Sequence, residues 1–140
     1  MSESKRAAGF VVVRPAERGW RYLVLRAFRN WDFPKGRVEP GETLLDTALR
    51  ETREETSLHH LELRWGETFC DTERYAGGKV ARFYVAISHE GDVHLPMNED
   101  LGRPEHHEHR WTTYDEAHTL LRPRLRHVLE WARTVIDCPK

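Results

Sequence analysis

A chain of 140 residues with a net charge of −1 suits one domain, residues 1–140, and has no broad attraction for nucleic acid or an anionic membrane. Any polyanion it binds must be held by a local basic pocket. A hydrophobic content of 39% with five Trp excludes a disordered chain, and two cysteines, Cys70 and Cys138, make no disulfide scaffold and predict reduced thiols in a cytoplasmic protein.

Residues 1–6 are polar and charged and the apolar run after them is short, so neither a signal peptide nor a membrane span is expected. Residues 7–13 are apolar and β-branched, closed by Arg14-Pro15, and predict a buried strand. Residues 20–26 predict a second, joined to the first by Glu17-Arg18-Gly19 as a hairpin. Arg6 then begins one strand and Arg26 ends the other, where each could reach a phosphate or simply face solvent. Trp31 and Phe33 precede a loop and are expected to anchor it to the core.

Pro34, Gly36, Pro40 and Gly41 mark that loop through fixed φ, a missing donor and left-handed conformations that glycine reaches cheaply. Thr43 is placed to cap a helix. Behind it Leu44, Leu45, Ala48 and Leu49, with Thr52, recur at helical spacing, leaving a second face for chemistry. On that face Glu51, Glu54 and Glu55 lie within one turn of each other, and Arg50 stands four residues before Glu54. Crowded carboxylates repel unless a proton or cation intervenes, and Mg2+ and Mn2+ prefer oxygen ligands. A solvated charged face offset by Arg50 and Arg53 is the plain alternative.

Residues 61–71 alternate weakly and suggest a strand; residues 79–88 suggest another, with Tyr75-Ala76-Gly77-Gly78 turning between them. In the second, Phe83, Val85 and Ile87 point one way and Arg82, Tyr84 and Ala86 the other, and the alternation does not say which side is the core. Lys79, beside the Gly-Gly turn, suits a phosphate or solvent equally. Residues 89–103, with Gly91, Pro96, Asn98 and Gly102, read as a mobile loop. The cluster His106-His107-Glu108-His109 resembles a zinc site only superficially, because consecutive His alternate direction in a strand. A short helix from Asp115 and a final amphipathic helix with Leu125, Val128, Leu129, Ala132, Val135 and Ile136 on one face complete the chain.

Gly36, five residues, Glu42, seven residues, Arg50-Glu51, two residues, Glu54-Glu55, two residues and Leu58 reproduce the Nudix box, and the chain resembles the Nudix hydrolases. Thr52 stands where an aliphatic residue is usual, and Ser57 replaces the glycine that ends the helix, at a cost of about 1 kcal/mol in a left-handed conformation. Arg6-Ala7-Ala8-Gly9, residues 31–42, residues 47–52, Lys79 and residues 105–111 extend the resemblance to the asymmetric diadenosine tetraphosphate hydrolases.

The resemblance implies an α/β/α sandwich with a mixed sheet and hydrolysis of a phosphoanhydride in a nucleotide polyphosphate with Mg2+ or Mn2+, most closely cleavage of diadenosine tetraphosphate to ATP and AMP. It implies Glu51, Glu54, Glu55, Glu105 and the Lys35 carbonyl as metal ligands, with Glu108 as the alternative to Glu105. Glu51 or Glu105 is the general base, and Arg50 fixes the helix face by pairing with Glu42. Arg6, Lys35 and Lys79 are expected on the phosphates, and Tyr75 and Phe83 on the base. The implied partner is a small nucleotide, with no membrane and no nucleic acid except an RNA 5′ end. The weighed alternatives are hydrolysis of diphosphoinositol polyphosphates, for which Arg6, Lys35, Arg37, Lys79 and Arg82 could line a basic pocket, hydrolysis of an RNA 5′-pyrophosphate, and a non-catalytic nucleotide-binding Nudix module.

Overall fold

A computed structural model describes residues 6–89 and 92–137. Its centre is β1 (Arg6–Pro15), whose apolar run is buried from Ala7 to Val13. One edge of β1 pairs in parallel with β7 (Val80–Ser88), from Arg6 opposite Val80 to Val13 opposite Ile87. The other edge is shared. Its far end takes β2 (Trp20–Ala27) in the expected hairpin, with Val13 opposite Tyr22, while its near end takes β4 (Lys35–Arg37), with Ala8 opposite Gly36.

The sheet order is β10-β2-β1-β7-β5, where β10 is Glu108–Thr112 and β5 is Leu61–Glu62, with β3 (Asn30–Asp32) on β2, β4 on β1 and β6 (Phe69–Asp71) on β7. Helices cover both faces. Ala8, Phe10, Val12, Leu23, Leu25, Tyr84 and Ala86 pack with Ala48 of α1 (Leu44–Thr56). Val11, Val13, Phe83, Val85 and Ile87 pack on the other side with Leu125, Val128, Leu129 and Ala132 of α3 (Pro123–Asp137) and Ala117 of α2 (Tyr114–Leu120). Both faces of β7 are therefore core, as a strand in a parallel pair between two helical layers requires. The result is an α/β/α sandwich with a mixed sheet.

Trp31 and Phe33 are buried and hold the loop before the helix. Thr43 caps α1 in a reciprocal box: its Oγ1 accepts from the Asp46 N–H at 3.0 Å and its own N–H donates to Asp46 Oδ2 at 3.2 Å. Ser57 ends the helix at φ 67°, the left-handed conformation expected there. The helix differs in what it buries. Its deepest residues are Thr47, Ala48, Thr52, Glu55 and Thr56, whereas Leu44, Leu45 and Leu49 are only partly covered. Ala48 packs into the cluster that holds Ala8, Phe10 and Leu25, and the three leucines pack against that cluster half-covered.

Three other expectations change. Residues 61–71 form two short strands, β5 (Leu61–Glu62) and β6, both antiparallel to β7. Gly66, at φ 70°, turns the chain between them. Within the stretch expected as a loop, β8 (Met97–Asn98) and β9 (Arg103–Pro104) make a small separate hairpin. Phe83, expected to stack on a base, is 0% exposed and meets Phe33 edge-on with centroids 5.6 Å apart, so it offers no face to a ligand.

Cys70 is a half-buried free thiol, and burial raises its pKa. Cys138, Gly91 and the polar residues 1–5 lie outside the described residues. No helix among those described is long and apolar enough to cross a membrane. Phe83→Ala should lower the unfolding free energy by about 3–5 kcal/mol, the usual cost of emptying a buried aromatic site. Urea unfolding measures this; a change under about 1 kcal/mol would show that Phe83 is not a core residue.

Candidate functional site

Arg50, with its side chain 15% exposed, organises the acids. Its Nε donates to Glu42 Oε2 at 2.7 Å, and its Nη2 donates to Glu42 Oε1 and to the Arg37 carbonyl, each at 3.0 Å. Its Nη1 donates to Glu51 Oε2 at 2.9 Å and to Glu54 Oε1 at 3.1 Å. One guanidinium thus ties β4, the loop and the helix together, which is how five fixed donors serve several carboxylates. Glu42 also accepts from Thr47 Oγ1 at 2.8 Å, and the Arg50 hydrogen bond above all brings its pKa down to about 2.

Two glycines set the approach. A Cβ on Gly36 would fall 2.0 Å from the Glu51 carboxyl carbon, so the β4 backbone lies directly under that carboxylate. A Cβ on Gly9 would fall 2.0 Å from the Pro34 carbonyl oxygen, so β1 admits the loop only without a side chain there.

The helical acids differ sharply in setting. The Glu54 side chain is 53% exposed, whereas Glu55 is almost fully buried and neither of its oxygens has a hydrogen-bond partner. Burial first, and then the charge of Glu105, push the Glu55 pKa well up. Glu105 is raised too, by burial and then by Glu51. Glu105 reaches this place because β10 (Glu108–Thr112) pairs antiparallel with β2, and His107 continues the ladder by donating its N–H to the Arg26 carbonyl at 2.9 Å. Glu108 is turned elsewhere, accepting from Arg26 Nε at 2.9 Å and Arg110 Nη2 at 3.1 Å. His106 is also brought in, its Nδ1 lying 3.7 Å from Glu55 and 3.8 Å from Glu105. Desolvation lowers its pKa to about 4, so the ring is neutral.

Two clefts meet over Glu39, Glu51 and Glu105. One of about 700 Å³ runs along Lys35, Gly36, Arg37 and Val38. The other, about 690 Å³, runs past Arg50, Glu54, Glu55, Met97 and His106. Both are of a size that holds a small ligand.

The remaining expected residues are more scattered. Lys35 Nζ lies 3.3 Å from Asp32; burial opposes its charge, but Asp32 and Tyr75 outweigh it and raise its pKa. Tyr75 is half-buried, with the Arg124 guanidinium 3.9 Å over one ring face. Lys79 is exposed at the turn. Arg6 is 4.0 Å from Asp71, to which Arg82 is already bound through two nitrogens at 2.8 and 3.1 Å.

Sequence reasoning missed His106 as part of this site and gave no role to Phe28, which lines neither cleft. Phe28 is 63% exposed at φ 58°, a conformation rare for a bulky residue. Its N–H donates to His107 Nε2 at 2.6 Å, and the Arg103 guanidinium lies 5.0 Å from its ring. No spacing signals such a residue, because its exposure follows from the β2–β3 turn.

A helix that stacks acids over a Gly/Pro loop, with Glu105 brought in just ahead of β10, gathers groups that could hold a metal ion on an α/β/α sandwich. The NUDIX domain model matches residues 3–132. The chain belongs to the Nudix family. The asymmetrical bis(5′-nucleosyl)-tetraphosphatase of Rattus norvegicus is 35% identical over 69% of this chain, and the match spans 66% of that protein's length. An RNA pyrophosphohydrolase of Caulobacter vibrioides is 31% identical over 87% of this chain and 79% of its own. The crystal structure of a C. elegans Ap4A hydrolase binary complex superposes with a TM-score of 0.76 at 26% identity, covering 91% of this chain and 96% of that one.

Because the folded pKa of Glu55 lies above the unfolded value of about 4.3, its contribution to stability is present below that pH and lost as pH rises through the folded pKa. Glu55→Gln should therefore raise the Tm in EDTA at neutral pH, by about 4 °C or more. Added Mg2+ should stabilise the original chain and much less so the variant. A lower Tm for the variant in EDTA, measured by calorimetry, would contradict this account of crowding.

Proposed function

We propose that the chain is a metal-dependent hydrolase of phosphoanhydride bonds in nucleotide polyphosphates, cleaving a dinucleoside tetraphosphate asymmetrically to ATP and AMP. One observation carries the reading: Glu55 is buried with two unpartnered oxygens among further acids, in the wall of the second cleft. A buried carboxylate without a partner is costly, and a divalent cation relieves it. Glu51, Glu54, Glu55, Glu105 and the Lys35 carbonyl would hold Mg2+ or Mn2+. Such an ion neutralises phosphate charge and lowers the pKa of bound water.

The protein's own groups do the rest. Glu105 takes the proton of the attacking water in preference to Glu51, whose Oε2 is already engaged by the Arg50 Nη1–H. Oxygen from water bonds to phosphorus as the bridging P–O bond breaks, and one nucleotide leaves. Arg50 keeps the carboxylates from moving apart. Lys35 and Arg37 line the cleft suited to the phosphate chain. Phe28, 63% exposed, takes the stacking role first assigned to Phe83, whereas Tyr75 packs against the core and under the Arg124 guanidinium.

The names of the rat and worm relatives support the dinucleotide, and the name of the Caulobacter relative supports an RNA 5′ end as the second reading. A diphosphoinositol polyphosphate is less suited. Arg6 and Arg82 lie against Asp71, and Lys35 against Asp32, which reduces the local positive charge. A module that only binds nucleotide has no use for crowded acids that destabilise the fold. A cytoplasmic setting, with its thiols reduced, belongs to the same proposal.

Glu54→Gln should lower turnover at least about a hundredfold with the fold intact, since the lost charge is a metal ligand. Product chromatography on dinucleotide, triphosphorylated RNA and inositol substrates in ¹⁸O-water shows which phosphorus is attacked. Near-normal turnover of the variant in Mg2+ refutes the assignment. Phe28→Ala should raise KM for a dinucleoside tetraphosphate by about 5- to 150-fold, the equivalent of one stacked base at ~1–3 kcal/mol, while leaving kcat nearly constant.

A further inference from the structure

His106 has no part in proton transfer or phosphate binding as described above, yet it is held inside the acid cluster. Its side chain is 9% exposed, and Nδ1 is sealed from solvent without a hydrogen-bond partner. Glu55 opposite it is 5% exposed, again with no partner for either oxygen. At 3.7 Å from Glu55 and 3.8 Å from Glu105, Nδ1 is too distant to donate a hydrogen bond to either. Without its proton, Nδ1 directs a lone pair at two oxygens that also carry lone pairs. Both tautomers are unfavourable as the groups stand.

A shared cation removes the difficulty. Donors bonded to one ion at ~2.1 Å stand ~3.0 Å apart in cis and ~4.2 Å apart in trans around an octahedron, and the two His106 separations, 3.7 and 3.8 Å, fall between. Donor atoms of Glu55, Glu105 and His106 all lie within 4.8 Å of one another. The two acids come from different parts of the chain, and the imidazole is fixed by its place between them and the β2–β10 ladder.

The geometry points to a mixed nitrogen and oxygen metal position made by Glu55, Glu105 and His106 Nδ1, distinct from an all-oxygen position at Glu51 and Glu54. It rests on the hydrolase reading only in that both need these acids to hold metal. An imidazole nitrogen favours Mn2+, Co2+ and Zn2+ over Mg2+, which prefers oxygen. The chain is thereby selective among divalent ions at one position and tolerant at the other.

The test uses the nucleotide-free full chain, so its outcome is separate from whether any substrate is cleaved. Zn2+ is titrated while the assigned imidazole nitrogens are followed by long-range ¹H–¹⁵N correlation. His106 Nδ1 should move to the position of a coordinated nitrogen as the ion saturates. Calorimetric titration of His106→Gln should show Mn2+ and Zn2+ affinity reduced at least about tenfold, with Mg2+ affinity changed by less than about twofold. A His106 Nδ1 signal that stays in place at saturating Zn2+ overturns the proposal. So does an equal loss for all three ions in the variant, which would mean that His106 only supports Glu55. If His106→Gln does not fold, the spectrum of the unaltered chain decides alone.

Discussion

Like charges held together inside a fold are the constraint around which this protein is built. Glu55 and Glu105 lie beside Glu51, and burial together with the neighbouring negative charge raises the pKa of both. Arg50 restrains the cluster from one side, with contacts to Glu42, Glu51, Glu54 and the Arg37 carbonyl. It does not reach Glu55, whose oxygens remain unpartnered. The fold thus holds its acids in an arrangement that a divalent ion would stabilise, and the sandwich supplies the rigidity that prevents them from relaxing.

That rigidity comes from the way β1 divides its edge. Pairing with β4 at one end and β2 at the other places the Gly/Pro loop under α1 and leaves β2 free to carry β10. The first pairing brings Gly36 beneath Glu51; the second carries Glu105 and His106 in from the far end of the sequence. A side chain at Gly9 or Gly36 would collide with the loop or the carboxylate, so two absent methyl groups are part of the site as surely as the acids.

The differences between expectation and structure have one origin. Helical spacing located the acids of α1 and put its leucines with Ala48 and Thr52 on the packing face, whereas Thr47, Glu55 and Thr56 are buried alongside Ala48 and Thr52 and the leucines are only partly covered. Alternation in β7 assigned two faces without telling core from surface, and a strand covered on both sides has no exposed face, so Phe83 moved from ligand to core. Phe28 carried no periodic signal, since a turn alone exposes it.

The residues in order determined the local chemistry: a loop of Pro and Gly, a capped helix, three acids and an arginine at set intervals, each governed by contacts within a turn or two of chain. Tertiary structure alone decided the unequal burial of those acids, the arrival of Glu105 and His106, and the pairing of Arg6 and Arg82 with Asp71. Burial and charge proximity depend on which distant segments a strand register brings together, and a register is a property of the whole sheet.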